Sequence, residues 1–199
     1  MTMLRFYWVR HAPPINPGDI CYGADMDVDV SDHAALKKQA ALIPAGAQWH
    51  ISPMHRAWKS AAALSDHHPD RDRIIFHVEQ DLREQSFGDW VDLPRAALHA
   101  QPGFSAYMAD PENNAPPGGE SLKNVAQRVG SVIERLVAAY PQGGDICIVS
   151  HKGINRAALH HTLGIALKDT LRISSDPLSV TMIDYDFQKW SLRQSNLKP

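Results

Sequence analysis

Apolar positions along the 199-residue chain follow two rhythms, short solid runs and longer stretches at helical spacing, and these alternate. Phe6-Tyr7-Trp8-Val9 is an aromatic and β-branched run that stops at Arg10-His11. Ala12-Pro13-Pro14 follows and cannot easily continue a strand or a helix, so the run reads as a buried strand emptying into a loop. Ser31-Asp32 opens a helical pattern over residues 33–43, which Pro44 and Gly46 close, and residues 49–52 form a second strand. Ser52 is placed as N-cap and Pro53 in the first turn of a helix over residues 54–64. A third strand spans residues 74–78. Residues 81–117 are mixed, with short helical pieces at 93–99 and 104–108, and are placed as an excursion over one end of the sheet. Residues 120–139 carry Leu122, Val125, Val129, Val132, Ile133, Leu136 and Val137 at the spacing of an amphipathic helix, which Gly143-Gly144 ends. Ile146-Cys147-Ile148-Val149 has the all-apolar character of a central strand covered on both faces. Ser150-His151-Lys152-Gly153 and a helix over residues 154–163 follow, and residues 180–185 and 190–193 close the chain as a hairpin.

Strands alternating with helices predict an α/β fold, a three-layer α/β/α sandwich with a mostly parallel central sheet, built as one domain over residues 1–199. In such sheets ligands collect outside the carboxyl ends of the strands, where the strand order reverses. That rule selects Arg10-His11 and His151 before any motif is considered, and the junction after the second strand adds Arg56.

Composition narrows the function. Twenty Lys and Arg against 22 Asp and Glu leave a formal charge of −2, so no global field draws the chain to nucleic acid or a membrane surface. No apolar stretch reaches the roughly 18 residues of a membrane-spanning helix, and the N-terminus lacks a signal-peptide pattern, so the expected location is cytoplasmic. The two cysteines, Cys21 and Cys147, read as thiols of a reducing compartment. Eleven histidines show no metal spacing, and the pairs His67-His68 and His160-His161 do not share a helix face, so neither metal nor cofactor is expected. A homodimer is left open.

The chemistry then follows from residue type. Arg10 and Arg56 can hold the oxygens of a phosphate through forked, charge-assisted hydrogen bonds. Their positive field disfavours imidazolium and leaves His11 neutral, with a ring lone pair able to attack phosphorus.

Five stretches in order, Tyr7-Trp8-Val9-Arg10-His11-Ala12, residues 51–57, Leu82-Arg83-Glu84-Gln85-Ser86-Phe87-Gly88-Asp89-Trp90, Pro117-Gly118-Gly119-Glu120-Ser121 and residues 148–153, resemble the histidine phosphatase superfamily, also called phosphoglycerate mutase-like. The resemblance implies that His11 takes the phosphoryl group, that Arg10, Arg56 and His151 line the phosphate pocket, and that Glu84 is the proton donor. A bound dianion favours the protonated form of a neighbouring carboxyl, the form a leaving alcohol needs. Departures are Ala12 for the usual glycine, Pro13-Pro14 where many members carry a polar residue, and Lys152 for a common glycine. Asn16 does not stand at the family asparagine's offset.

The other histidines read as surface or helix-face residues, Trp8 as core, and Gly118-Gly119-Glu120-Ser121 as a helix start with Glu120 at the positive end. Trp90 attracts interest because its segment adjoins Glu84. The expectation is a phosphomonoester hydrolase acting on a small phosphorylated metabolite. Tyr22-Gly23-Ala24-Asp25 and the Trp-Val-Arg-His-Ala-Pro run resemble short bacterial α-ribazole phosphatases. The alternatives are a mutase-type phosphoryl transferase, whose members tend to be longer and more polar at Pro13-Pro14, and a module that binds phosphorylated ligands without turnover.

Overall fold

The computed structural model describes residues 3–21, 23 and 26–199. Six strands form one sheet: β1 (Leu4–Arg10), β2 (Gln48–Ile51), β3 (Phe76–Val78), β4 (Gly144–Ser150), β5 (Val180–Tyr185) and β6 (Trp190–Leu197). Their order across the sheet is β3-β2-β4-β1-β5-β6. Neighbours from β3 to β1 pair in parallel, while β5 runs antiparallel to β1, and β6 antiparallel to β5. The helices are α1 (His33–Ala40), α2 (His55–Ser65), α3 (Phe104–Ala109), α4 (Leu122–Ala139), α5 (Lys152–Leu163) and α6 (Leu167–Thr170).

Strand alternation divides the core between the two faces of the sheet. Phe6, Trp8, Ile146 and Ile148 pack with Val125, Val129, Ile154 and Ala158 of α4 and α5. Tyr7, Val9, Cys147, Val149, Trp49 and Ile51 pack on the other side with Leu36, Ala57 and Leu64 of α1 and α2. β1 and β4 point both faces into protein, which is why their apolar runs are continuous. The fold is the α/β sandwich that the alternation predicts, with helices on both faces of a mixed, mostly parallel sheet.

Topology places the crevice. From β1 the chain leaves through α1 to β2, two positions to one side, and from β4 it leaves through α5 to β5, two positions to the other. The connections diverge at the adjacent carboxyl ends of β1 and β4, where ligands gather in open α/β sheets. The parallel register sets Arg10 opposite Ser150, so His11 and His151 leave the sheet side by side.

Local differences from the sequence reading have physical causes. α2 begins at His55 with Met54 as N-cap and no side-chain cap. Ser52, expected as that cap, turns its hydroxyl to His151, 2.7 Å away, and takes only a 3.3 Å bond from the Met54 N–H. α4 is capped by Ser121, which forms a reciprocal capping box with Asn124, and Glu120 lies outside the helix. The 93–99 pattern forms a 3₁₀ helix over residues 95–100. Among the histidines read as surface residues, His50 and His68 are buried. His50 pairs with Glu79 at 3.1 Å, and His68 bonds the Ile43 carbonyl at 3.0 Å.

Candidate active site

The strand ends deliver their residues through the backbone. The His11 N–H bonds the Ser150 carbonyl at 2.9 Å, and the Leu178 N–H is shared between the Arg10 and His11 carbonyls at 3.1 and 3.3 Å. Leu178 holds a φ of 58°, an uncommon conformation for a branched aliphatic residue. The Ala12 N–H bonds Ser60 Oγ at 2.8 Å, and that hydroxyl donates to the Arg56 carbonyl one turn earlier in α2. Arg10, His11, Arg56 and His151 therefore hang from a single bonded framework. The two imidazoles lie 5.2 Å apart, centroid to centroid, with planes at 58°.

Hydrogen-bond logic fixes both tautomers. His11 Nδ1 lies 2.7 Å from the Ala12 carbonyl, which only accepts, so Nδ1 carries the proton and the lone pair sits on Nε2. Arg56 Nε can only donate, and it lies 3.2 Å from His151 Nδ1. His151 therefore carries its proton on Nε2 and gives it to Ser52 Oγ. Both rings are almost wholly enclosed, at 1% and 0% exposed. Burial pushes His11 down from 6.5 to about 3, with the Arg56 and Arg10 charges adding to it against the opposing Ala12 hydrogen bond. Burial, then Arg56 and His11, push His151 well down also. At neutral pH this is a pair of uncharged imidazoles among guanidinium groups, and Nε2 of His11 is the ring atom free to act as a nucleophile. Both nitrogens of His151 are engaged, so contact with a phosphate requires an exchange of one of these bonds.

Arg10 donates to the Ser175 carbonyl at 2.6 Å, and its Nε–H is buried without a partner among the described residues. Arg56 is 1% exposed and donates to the Gly23 carbonyl at 2.6 Å, which ties α2 to the segment after β1. Tyr22, Ala24 and Asp25 of the Tyr22-Gly23-Ala24-Asp25 stretch lie outside the described residues. Asn16 closes its own turn by bonding Ile20 in both directions, and Pro13 and Ile15 pair with Asp29 and Asp27.

Glu84 comes from the long excursion and meets the start of α5. Its Oε2 accepts the Gly153 N–H at 3.2 Å and its Oε1 accepts the Gln85 N–H at 3.1 Å. A Cβ on Gly153 would overlap Oε1, so glycine makes room for the carboxylate. Two features of this arrangement escaped the sequence reading. Arg128, 10% exposed on the core side of α4, donates to the Asp81 and Arg83 carbonyls at 2.6 and 2.7 Å and to both Glu120 oxygens at 2.9 and 3.0 Å, with a longer bond to the Glu84 carbonyl. Glu120 is thus a partly buried counter-ion shared by Arg128 and Arg83 at the root of the Glu84 loop, not a helix-start charge. Burial raises its carboxyl, but hydrogen bonds from Arg128 and the Ser86 N–H outweigh that, and the net direction is down. Gly119 and Gly88 let this loop and the segment at 117–119 touch backbone to backbone, through the Glu120 N–H to Ser86 O and the Asp89 N–H to Pro117 O, both 2.9 Å. A charged residue inside the apolar stripe of α4, at Arg128, was the one available signal.

Beyond Arg10 and Glu84 opens a cavity of about 590 Å³. Phe87, Trp90, Phe104 and Tyr107 wall it on one side, in edge-to-face or tilted contact, and Lys152, Gly153 and Arg156 of α5 on the other. Trp90 is 1% exposed, part wall and part core. Cys21 also lines the cavity, and both cysteines are free thiols. Among the described residues, no group of three or more His, Cys, Asp or Glu is placed to hold a metal ion, and no helix is long and apolar enough to cross a membrane.

Comparison with known proteins places the chain in a family. The profile of the histidine phosphatase superfamily (branch 1) matches residues 6–198. Glucosyl-3-phosphoglycerate phosphatase of Mycobacterium tuberculosis is 28% identical over 167 residues, covering 77% of this chain and 73% of the relative. The enzyme of that name from Mycolicibacterium vanbaalenii is 28% identical over 183 residues, covering 83% and 76%. In structure, a putative α-ribazole-5'-P phosphatase from Escherichia coli superposes with a TM-score of 0.85 at 20% identity, covering 97% and 96% of the two chains. At that identity the superposition speaks for the fold alone, whereas the profile spans nearly the whole chain. The chain belongs to the histidine phosphatase superfamily, branch 1, and is a phosphatase.

Proposed function

We propose that the chain is a phosphomonoester hydrolase that passes the phosphoryl group through His11. The observation that carries this is the tautomer: a proton held on Nδ1 by the Ala12 carbonyl leaves Nε2 with its lone pair at neutral pH. In the first step Nε2 forms a bond to phosphorus as the bond to the ester oxygen breaks, and the Glu84 carboxyl gives its proton to that oxygen. In the second, water attacks phosphorus, the Glu84 carboxylate takes its proton, and phosphate leaves with His11 neutral again. Arg10, Arg56 and His151 offset the charge on the equatorial oxygens, the main service a protein renders to phosphoryl transfer.

The substrate is a small phosphorylated metabolite whose alcohol part occupies the cavity beyond Glu84. Its size and aromatic wall suit a sugar or a planar heterocycle, so α-ribazole 5'-phosphate and glucosyl-3-phosphoglycerate head the panel of monophosphates to screen. Rapid quenching under alkaline conditions with a ³²P-labelled monoester tests the route. Label should accumulate on the protein as acid-labile phosphohistidine, map to His11, and be lost in His11→Ala. Turnover without label on His11 rules the covalent route out. Equal hydrolysis by wild type and His11→Ala leaves no role for His11 as nucleophile.

A further inference from the structure

Three cations of the cavity wall take no part in the chemistry proposed at His11: Arg95, which pairs with Asp19 at 3.0 Å, and Lys152 and Arg156. Lys152 and Arg156 are the first and fifth residues of α5, hence neighbours on one face of the helix, and both line the cavity. The cavity wall includes Arg10 and Glu84 but not His11, Arg56 or His151, so Lys152 and Arg156 line the space beyond the two imidazoles. Neither has a carboxylate partner among the described residues. Lys152 is half-buried, and its side chain makes no hydrogen bond or ion pair there. Arg156 donates to the Leu171 carbonyl at 2.6 Å and to the Ile173 carbonyl at 3.1 and 3.3 Å, which fix its direction without pairing it to a carboxylate.

Of the nearby acids, Asp176 is paired with Lys198 at 2.5 Å and Asn196 at 2.9 Å, and Glu84 is oriented by the Gly153 and Gln85 N–H groups, neither hydrogen-bonded to the Lys152 or Arg156 side chain. Burial, then repulsion from Arg156 and Arg10, lower Lys152 against the weaker opposing pull of Asp176 and Glu84, so the cations outweigh the acids near it. Such an array opposes folding and persists where a ligand uses it.

We propose that Lys152 and Arg156 form a second anion subsite, so that the preferred substrate is a phosphomonoester whose alcohol part carries a further anionic group, a carboxylate or a second phosphate. This rests on the reading that the cavity receives the alcohol part. Lys152 is then a specificity residue that touches substrate remote from the reacting atoms, and Arg156 is its fixed companion.

The test uses esters matched in ring and leaving atom: 4-carboxyphenyl phosphate against its neutral 4-carbamoyl counterpart, with 4-(phosphonomethyl)phenyl phosphate as the phosphate-like arm. Attraction between close opposite charges in a partly solvated pocket predicts a preference of about tenfold or more in kcat/KM for the charged esters. The larger preference of the carboxylate and phosphonate arms identifies the group. Lys152→Met should bring the charged-to-neutral ratio close to one, Lys152→Arg should keep it, and added salt should shrink it in the wild type. A wild-type ratio near one, or equal losses on both esters in Lys152→Met, overturns the proposal and, in the second case, assigns Lys152 to the phosphoryl group. Should the wild type turn over none of these esters, the hydrolase reading fails separately, and calorimetric titration of the same esters into wild type and Lys152→Met makes the same comparison by affinity.

Discussion

Gly153→Ala separates the acid from the rest of the machinery. Gly153 is the second residue of α5 and its φ is not in the left-handed region, so alanine fits the backbone, and in a helix interior it is favoured over glycine by up to about 1 kcal/mol. The added Cβ overlaps Glu84 Oε1, the mobile end of a long side chain, which can yield by rotating away at small cost. Moving the carboxylate breaks its bond to the Gly153 N–H and withdraws the proton donor by about 1 Å or more, a displacement that costs on the order of 100-fold in rate, or about 2.7 kcal/mol of barrier. The loss should depend on the leaving group. Esters of poor leaving groups, such as alkyl phosphates, need the proton and should lose about 100-fold in kcat/KM, within the range typical of general acid catalysis. 4-Nitrophenyl phosphate, whose anion leaves unaided, should lose less than about tenfold on the same basis. Steady-state kinetics on both esters, with thermal unfolding alongside, measures this. An equal loss on both esters, or undiminished alkyl-ester hydrolysis, refutes the placement of Glu84 as the acid.

Further outcomes follow from the buried charges and rings. Arg128→Met leaves Glu120 with only its 3.3 Å pair to Arg83 and frees the Asp81 and Arg83 carbonyls, and should cost about 1–3 kcal/mol in urea unfolding, where no measurable change contradicts the role given to Arg128. The lowered Glu120 carboxyl contributes stability that is present above its unfolded value and lost as pH falls through the folded one. Glu120→Gln should therefore flatten the loss of stability below about pH 4.5, measured by unfolding across that range. His11, neutral in the folded state down to about pH 3 but protonated below about 6.5 when unfolded, also makes stability rise with pH between those values, and its ring resonances should keep neutral-form shifts from pH 8 to pH 4; a midpoint near 6.5 would contradict its burial. Ser52→Ala orphans the buried His151 Nε2–H and should cost about 1–3 kcal/mol, with weaker inhibition by vanadate as the His151 ring loses its anchor.

The meeting of Arg10, His11, Arg56 and His151 is legible in the sequence because these residues hang from the sheet. The apolar run ending in Arg10-His11 reads as a buried strand and the one ending in Ser150-His151 as a central strand covered on both faces, and the strand-end rule then selects both histidines. Ser52 departs from its local pattern because of a distant partner. Ser-Pro before a helix pattern is the usual signature of a cap, but the register of β2 beside β4 turns the same hydroxyl to the ring of His151, 99 residues away, and no local pattern reports a partner at that distance. The alcohol half was less legible because residues 81–117 have little regular periodicity. The segment is shaped by backbone contacts at Gly88 and Gly119 and by Arg128 reaching into it from α4, and these are tertiary bonds with no sequence rhythm.

That division has a functional consequence. The groups proposed to bind phosphate are fixed by strand ends and helix starts, whose geometry tolerates little change, whereas the aromatic wall sits on an excursion outside the sheet whose root Arg128 and Glu120 hold. Lys152 lies where the two halves meet, on the rigid α5 but facing the cavity. A change of substrate can therefore be made by altering the wall and this one cation while His11, Arg10, Arg56 and His151 stay in place. Exchanging residues 95–109 for the corresponding stretch of a relative should move the ranking of alcohol groups by about tenfold or more, the scale of a few altered pocket contacts, while leaving inhibition by inorganic phosphate within about twofold. Phosphate inhibition that shifts along with the alcohol ranking would show that the two halves are not independent.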